Sequence, residues 1–378
     1  MGQNKIKEKD NFGNLLFLIA YVPVLFISSL STTLYVHVLP SYYINTIILF
    51  GMAVLCFKLL ITDSYTFIQY MFYTIIAVVL MIATIKSGDK QVIILTAFLL
   101  MGKGTDDRSV IRAYLFVSII VLLFSYFSTK LGWIMDLTYT RNMIVRHSYG
   151  IVYPTDFAAH IFYVCCAYAF LRYKKYDFKD VSLLTLIALL VYRQTNSRLD
   201  SGLIFILGIA IWIGKNNKFR RLINVSWLMA PLGFIFTYLS TKNFNSGSDF
   251  FAVLDKFFSG RLEIVQELMN EYGIKMWGQK IIEHGWGGMG FFINRNIYKY
   301  TYIDSTYMRL LLIYGIAACA TFILMITFFT KKAKDTELLI IVALILFSGI
   351  VEQHFIDIAY NPFFILLVSN YYKEKGLR

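Results

Sequence analysis

Ionisable side chains that stand inside or beside long apolar blocks are the residues of this sequence best suited to do chemistry. They are Arg141, Arg146, His147, Asp156, His160, Arg193, Arg198, Asp200, Arg261, Glu283, His284, Asp304, Arg309, Glu352 and His354. Placing such a group unpaired in a bilayer costs several kcal/mol, so each is a functional candidate by default. A guanidinium is always charged and binds phosphate through two N–H groups at once. The arginines therefore predict a polyanionic ligand.

Arg261 has the strongest position among these arginines, because it opens a predicted amphipathic helix. Ser259 is the predicted N-cap of that helix and Gly273 its predicted end. In the first turn, Arg261 would stand beside free backbone N–H groups that favour an anion. For the other arginines, contact with lipid head groups or pairing with Asp and Glu is an equally good interpretation.

A glycine-rich run from Glu283 to Gly290 follows the predicted helix. Glycine permits tight turns and close approach of the backbone to a ligand. The run lacks the G-x-G-x-x-G spacing and the βαβ context of a nucleotide site. The sequence has no D-x-D pair and no Walker motif, and its histidines lack the spacing of a zinc site. We therefore expect neither a metal nor a cofactor.

The elements that hold these residues must be membrane helices. Of the 378 residues, 58% are hydrophobic and only 16% are charged, against about 25% charged in soluble domains. The net charge of +13 does not indicate nucleic-acid binding, because the basic residues cluster between apolar blocks, as in membrane proteins.

The sequence predicts an all-α polytopic membrane protein with twelve spans, since a helix crosses a bilayer in roughly 17–25 residues. The predicted limits are 13–36, 41–61, 65–86, 88–102, 109–128, 150–171, 181–193, 199–214, 225–241, 305–330, 336–351 and 355–371. The fourth, seventh and eighth are short, and the last two of these could instead form one re-entrant hairpin.

The distribution of Lys and Arg predicts that both termini are cytoplasmic. With the N-terminus inside, cytoplasmic segments hold 21 of the 36 basic residues, including Lys375 and Arg378, whereas the short outer loops and span edges hold seven. This topology divides the chain into a transmembrane bundle over 1–241, an extracytoplasmic segment over 242–304 and C-terminal spans over 305–378. A segment as long as 242–304 is usually functional.

Four short segments resemble one family. Phe258-Ser259-Gly260-Arg261-Leu262, followed by an amphipathic helix, resembles the start of the periplasmic helix of O-antigen polymerases and ligases. The run from Gly285 to Gly290 resembles the glycine segment after that helix, and 303–315 resembles the opening of the next span. Thr195-Asn196-Ser197-Arg198 resembles the family's Ser-Arg motif in the middle spans. The chain thus resembles the Wzy-type superfamily of O-antigen, capsule and exopolysaccharide polymerases.

One departure from the family pattern concerns the base. Ligases of the superfamily often have His-Asn where this chain has Asp304-Ser305. A carboxylate at this position is more similar to the capsule and exopolysaccharide polymerases of Gram-positive bacteria. The identity of the general base is therefore open.

The resemblance implies a GT-C-like glycosyltransferase in the bacterial plasma membrane. Its donor would be a glycan on undecaprenyl diphosphate, and its acceptor the terminal hydroxyl of another lipid-linked repeat unit. Arg261, helped by Arg146 or Arg198, would stabilise the leaving diphosphate without a metal, and Asp304 first, His284 second, would take the hydroxyl proton. The further substrate-binding candidates are Arg141, Arg193, His160, Tyr307, Arg309 and Glu352. Membrane lipids, a flippase and a chain-length regulator are the implied partners, with no role for nucleic acid.

Other functions remain open at this point. A ligase would transfer a finished glycan to a different acceptor by the same chemistry. A flippase for lipid-linked oligosaccharides also fits twelve spans, but the sequence shows no paired halves, and a flippase has little use for the long outer segment. An acyltransferase would need a histidine within the membrane, for which His160 is the one good candidate.

Overall fold

The computed structural model describes residues 2–141 and 143–374, so Lys375 and Arg378 lie outside the described residues. Most of the described chain is helical. The helices are α1 (Gly2–Ser31), α2 (Ser41–Ile61), α3 (Phe67–Ser87), α4 (Gln91–Leu100), α5 (Asp107–Lys130), α6 (Pro154–Arg172), α7 (Phe178–Thr195), α8 (Arg198–Gly214), α9 (Arg220–Ile223), α10 (Met229–Lys242), α11 (Asp249–Phe257), α12 (Arg261–Tyr272), α13 (Asn294–Ile297), α14 (Thr306–Leu312), α15 (Gly315–Lys332), α16 (Thr336–Ser348) and α17 (Phe363–Glu374).

Six helical segments among the described residues are long and apolar enough to cross a membrane: Lys9–Ser31, Ser41–Ile61, Phe67–Ser87, Asp107–Lys130, Arg220–Lys242 and Gly315–Lys332. Their length and composition confirm the predicted class, an all-α membrane protein. Most side chains of α2 and α3 are not buried by protein, and large apolar ones such as Leu60, Phe67 and Ile85 are exposed. Contact with lipid is the environment that suits such a surface. By contrast, α4 has only 10 residues and α16 only 13.

Contacts between residues that are distant in the sequence bring the connecting segments together at the two ends of the helices. At one end, Tyr139 Oη donates to the carbonyl of Trp286 (2.7 Å), and Arg261 Nη1 donates to that of Val351 (3.0 Å). We call this the loop end; it comprises residues 132–153, 195–198, 243–305 and 349–362. At the opposite end, Lys373 pairs with Asp107. This arrangement places most of the predicted outer residues at the loop end, apart from Lys373 and Asp107.

The predicted span 305–330 is not one helix, and this corrects the sequence interpretation. It breaks between α14 and α15, where Gly315 adopts φ +87°. Residues of the loop end fill the break: Gln279 N donates to the carbonyl of Ile313 (2.9 Å), and Ile316 N donates to that of Lys275 (3.0 Å). A Cβ on Gly315 would lie 2.2 Å from Gly278 N, so only glycine allows this approach.

The predicted start of the amphipathic helix also needs correction. Gly260, with φ +81°, is the N-cap residue of α12, and it supplies no side-chain hydrogen bond. Ser259 itself has φ +61° and so cannot adopt the extended conformation usual at an N-cap. Asp255 takes over the capping role, since its Oδ1 accepts from Leu262 N at 2.9 Å. The predicted end at Gly273 is confirmed.

One exception to the all-α prediction is a hairpin between α5 and α6. Its strands β1 (Thr138–Arg141) and β2 (Ile144–His147) are antiparallel, with Tyr139 opposite Arg146. Asp136 anchors the hairpin, because its carboxylate pairs with His147 Nδ1 (2.6 Å) and accepts from the backbone N–H groups of Ser148 and Tyr149. The hairpin therefore holds its two arginines in a fixed place at the loop end.

Candidate functional site

Four arginines from separate elements form a cluster at the loop end. Arg141 lies on β1 and Arg146 on β2, while Arg198 begins α8 and Arg261 begins α12. Burial lowers the pKa of Arg141, and the positive charges of the other three lower it further. Among the described residues, only Arg261 of these four has a carboxylate within ion-pair distance. Arg141, Arg146 and Arg198 thus have no ion-paired carboxylate among the described residues, while Arg261 also interacts electrostatically with Asp156, Asp200 and Glu352.

Of the two hairpin arginines, Arg146 is the more buried, and one of its N–H donor groups is not used. It is only 4% exposed. Its Nε donates to the carbonyl of Thr195 (2.6 Å), and its guanidinium lies over the Tyr153 ring at 5.7 Å. Its Nη2 has no hydrogen-bond partner among the described residues. A buried donor of this kind costs free energy unless a ligand satisfies it.

Arg261 is held in place by two contacts that leave the rest of its guanidinium available. Its Nε lies 2.9 Å from Asp304 Oδ2, and its Nη1 donates to the carbonyl of Val351. Arg141 approaches the same turn, since its Nη2 donates to Ser259 Oγ at 3.4 Å. Burial lowers the pKa of Arg146, and the positive charge of Arg261 lowers it further.

Asp304 faces the arginine cluster and does not cap the next helix. The cap position of α14 belongs to Ser305. Besides Arg261, Asp304 accepts a hydrogen bond from Tyr300 Oη at 2.9 Å. Burial raises the pKa of the Asp304 carboxyl above its ordinary value, although Arg261 and then Tyr300 act in the opposite direction. Asp304 can therefore either hold Arg261 or exchange a proton.

A cavity of about 340 Å³ lies next to this pair. Its polar side includes Lys90, Asp156, Tyr302, Gln353, His354 and Asp357, and its apolar side includes Ile44, Ile48, Ile94 and Ile358. Asp156 is close enough to Arg261 and Asp304 to interact with both electrostatically. Asp156 thus connects the cavity electrostatically to Arg261 and Asp304.

Glu352 and His160 do not line the cavity but lie next to residues that do. The Glu352 carboxylate lies 4.0 Å from His354 Nε2, and burial, followed by the nearby Asp200, raises the pKa of Glu352. The His160 ring stacks on Tyr360, with ring centres 4.0 Å apart. Tyr360 lines the cavity, so these two predicted residues reach a ligand only through their neighbours.

Arg309 and Tyr307 are buried in contacts of their own. Arg309 forms a bidentate pair with Glu283 at 3.0 and 2.9 Å, and its guanidinium lies over the Tyr302 ring. Tyr307 Oη donates to the carbonyl of Leu346 at 2.9 Å. Arg309 therefore serves to tie the glycine-rich segment to α14. Arg193 is exposed on α7, and the structure shows no contact that brings it to the cluster.

His284 lies outside the cavity lining. Its ring stacks on Tyr298 at 4.1 Å, and its backbone N–H donates to Thr301 Oγ1 at 3.1 Å. The glycine-rich run that follows packs onto the start of α6, where Gly288 N donates to the carbonyl of Val152 at 2.9 Å. The glycine-rich run is therefore fixed to the residues that precede α6.

Several site residues were not predicted from the sequence. Tyr153 and Tyr300 contact Arg146 and Asp304, and Gln353 accepts a hydrogen bond from Tyr302 Oη at 2.7 Å. Only their closeness in the sequence to predicted residues could have indicated them, because Tyr is common throughout the sequence and a tyrosine alone does not mark a site. Within the described part of the chain, no three His, Cys, Asp or Glu side chains are grouped as metal ligands.

No family model matches the chain, and neither the curated proteins nor the solved structures include a match.

Proposed function

We propose that the protein is a polysaccharide polymerase that joins undecaprenyl-diphosphate-linked repeat units into capsule, exopolysaccharide or O-antigen chains. It would act by metal-independent glycosyl transfer on the outer face of the bacterial plasma membrane. The observation that carries this proposal is the arginine cluster, in which Arg141, Arg146, Arg198 and Arg261 converge with one paired carboxylate. Guanidinium groups that lack an ion-paired carboxylate, together with a free buried donor, suit a diphosphate.

The chemistry follows from the leaving group. A sugar diphosphate already leaves readily, so a catalyst mainly has to stabilise the negative charge that develops on the departing oxygen. Fixed donors in a site of low polarity do this well. Arg261 and Arg146 are such donors, because Asp304 and Thr195 hold them in place. The sequence alone predicts Asp304 first and His284 second as the base for the acceptor hydroxyl.

The apolar wall of the cavity supports a lipid-linked substrate. Ile44 and Ile48 of α2 contribute to it and are partly exposed. Farther along α2, Leu49 and Leu60 are largely exposed on the surface that suits lipid contact. A polyprenyl chain can thus remain among lipids while its diphosphate and sugars enter the polar site. A soluble sugar nucleotide would have no need of this wall.

The decisive experiment is deletion of the gene followed by analysis of lipid-linked glycans. Loss of a polymerase leaves single repeat units on the outer leaflet, because export continues and joining stops. Units trapped on the inner leaflet would indicate a flippase. Long lipid-linked chains that never reach their final acceptor would indicate a ligase. Either of the last two results would contradict the proposal.

Membrane topology provides a separate test. We propose twelve spans in a GT-C-like bundle, with both termini cytoplasmic and the loop end outside. Single cysteines at Ser246 and Lys332 would then react with a membrane-impermeant reagent from opposite sides, Ser246 from the outside. Labelling of both positions from the outside would rule out this topology. The partners consistent with this placement are a flippase and a chain-length regulator.

A further inference from the structure

One carboxylate on the polar side of the cavity, Asp156, forms no ion pair with an arginine among the described residues. Asp156 lines the cavity, and among the described residues neither of its side-chain oxygens accepts a hydrogen bond. Asp304, in contrast, is engaged by both Arg261 and Tyr300 and is not part of the cavity lining. Asp357 also lines the cavity, but its oxygens accept from Gln91 Nε2 and Ala359 N. Asp156 is therefore the cavity carboxylate that is open to a ligand.

His354 stands next to Asp156 in a fixed orientation. Its Nε2 lies 3.6 Å from Asp156 Oδ1, which is too long for a hydrogen bond. Its ring stacks on Tyr360 at 4.3 Å, and the opposite neighbour of Tyr360 is His160, whose Nε2 bonds Thr32 Oγ1 at 2.7 Å. Catalytic hydrogen bonds are often long without substrate and shorten in the complex. The stack therefore fixes the orientation of the His354 ring, and His354 Nε2 remains without a hydrogen bond to Asp156.

The remaining groups of the cavity suit a sugar. Tyr302 offers a phenol ring, while Gln91 and Gln353 offer amide groups. Few convergent polar groups on a largely preformed concave surface are typical of small-molecule sites. Asp156 interacts electrostatically with Arg261, so a sugar in the cavity would lie next to a diphosphate in the arginine cluster.

We propose that this cavity binds the terminal sugar of the acceptor repeat unit and that Asp156 is the base for its hydroxyl. This inference rests on the proposed polymerase function. The acceptor oxygen forms a bond to the anomeric carbon of the donor sugar as the bond from that carbon to the diphosphate oxygen breaks. The diphosphate leaves with the electron pair, and the hydroxyl proton passes to Asp156.

The test uses the full-length protein in cells that lack the chromosomal gene, complemented with single variants. The measured quantity is the number of joined repeat units per molecule of protein in the membrane, so that altered insertion is taken into account. Asp156→Asn keeps the shape and removes the proton acceptor, whereas Asp156→Glu keeps the acceptor. Glu267→Gln, at an exposed surface pair with Lys299, is the matched control.

We expect Asp156→Asn to lower joining by roughly 10²–10⁴-fold, Asp156→Glu to retain clearly more activity, and Glu267→Gln to equal the wild type. Near-normal joining by Asp156→Asn would overturn the assignment, as would equal losses in the Asn and Glu variants. These failures leave the polymerase proposal intact as long as deletion of the gene stops polymer formation. Unchanged polymer in the deletion strain would refute both.

Discussion

Two clusters of basic residues, one at each end of the helices, differ in how completely their charges are matched. At the opposite end, Lys58 is fully buried, donates to both oxygens of Asp63 at 2.7 and 2.8 Å, and donates to the carbonyl of Lys103. Lys103 in turn lies over the rings of Tyr65 and Tyr372. At the loop end, four arginines share one ion-paired carboxylate among the described residues.

The difference separates a structural network from a binding site. In the lysine cluster each cation has partners within the protein, so a ligand would gain little. In the arginine cluster Arg146 Nη2 is buried without a partner, and the cations raise each other's electrostatic energy. An anion would relieve both costs, since unsatisfied buried donors and unpaired charges are expensive. Substitutions in the two clusters should therefore affect different properties.

The largest expected effect on polymer formation comes from Arg261. We expect Arg261→Ala and Arg261→Lys both to abolish polymer while the protein still inserts, because lysine keeps the charge but loses the planar fork. The measurement is joined repeat units per inserted molecule. Arg221→Lys, at an exposed arginine of the opposite end, is the matched control. Near-normal polymer length in Arg261→Lys would show that a point charge suffices.

A smaller effect is expected from Asp304→Asn. If Asp304 chiefly holds Arg261, loss of its charge should lower joining about tenfold, in line with the ~1.5 kcal/mol of one charge-assisted hydrogen bond. If Asp304 is itself the base, the fall should be roughly 10²–10⁴-fold. The ratio of joining rates between wild type and variant decides between these roles. Full activity would remove Asp304 from the catalytic candidates and leave Asp156 as the proposed base, with His284 as the other candidate.

The smallest effect on joining is expected from Lys58→Ala. This change leaves Asp63 buried without its cation, which typically destabilises a protein by about 3–5 kcal/mol. We expect a lower thermal midpoint and less protein in the membrane, with unchanged joining per inserted molecule. A selective loss of joining at normal stability would remove the distinction between the two clusters.

The sequence predicted the residues of the arginine cluster better than their contacts. Arg141, Arg146, Arg198 and Arg261 flank apolar blocks on the same predicted side, so topology alone could bring them to one end. The pairing of Asp304 with Arg261 could not be predicted, because a carboxylate before an apolar run is equally typical of a helix cap. The structure assigns that position to Ser305.

The remaining differences arise from contacts that are distant in the chain. The break before Gly315 depends on the approach of Gly278, which lies 37 residues earlier in the sequence. The apolar pattern of 305–330 contains no sign of that approach, so it predicted a continuous helix. Likewise, Asp156 and His354 come from opposite halves of the chain, and no local spacing connects them. Periodicity therefore predicted the helix class but not the geometry of the cavity.

The most direct test of the central claim is reconstitution with one protein and one substrate. Lipid-linked single repeat units extracted from the deletion strain would be incorporated into vesicles with the purified full-length protein. We predict that the wild type converts the units into a ladder of longer glycans and releases one undecaprenyl diphosphate for each bond formed, whereas Arg261→Lys leaves them single. Units that stay single with the wild-type protein, whether or not they cross the bilayer, would contradict the polymerase assignment.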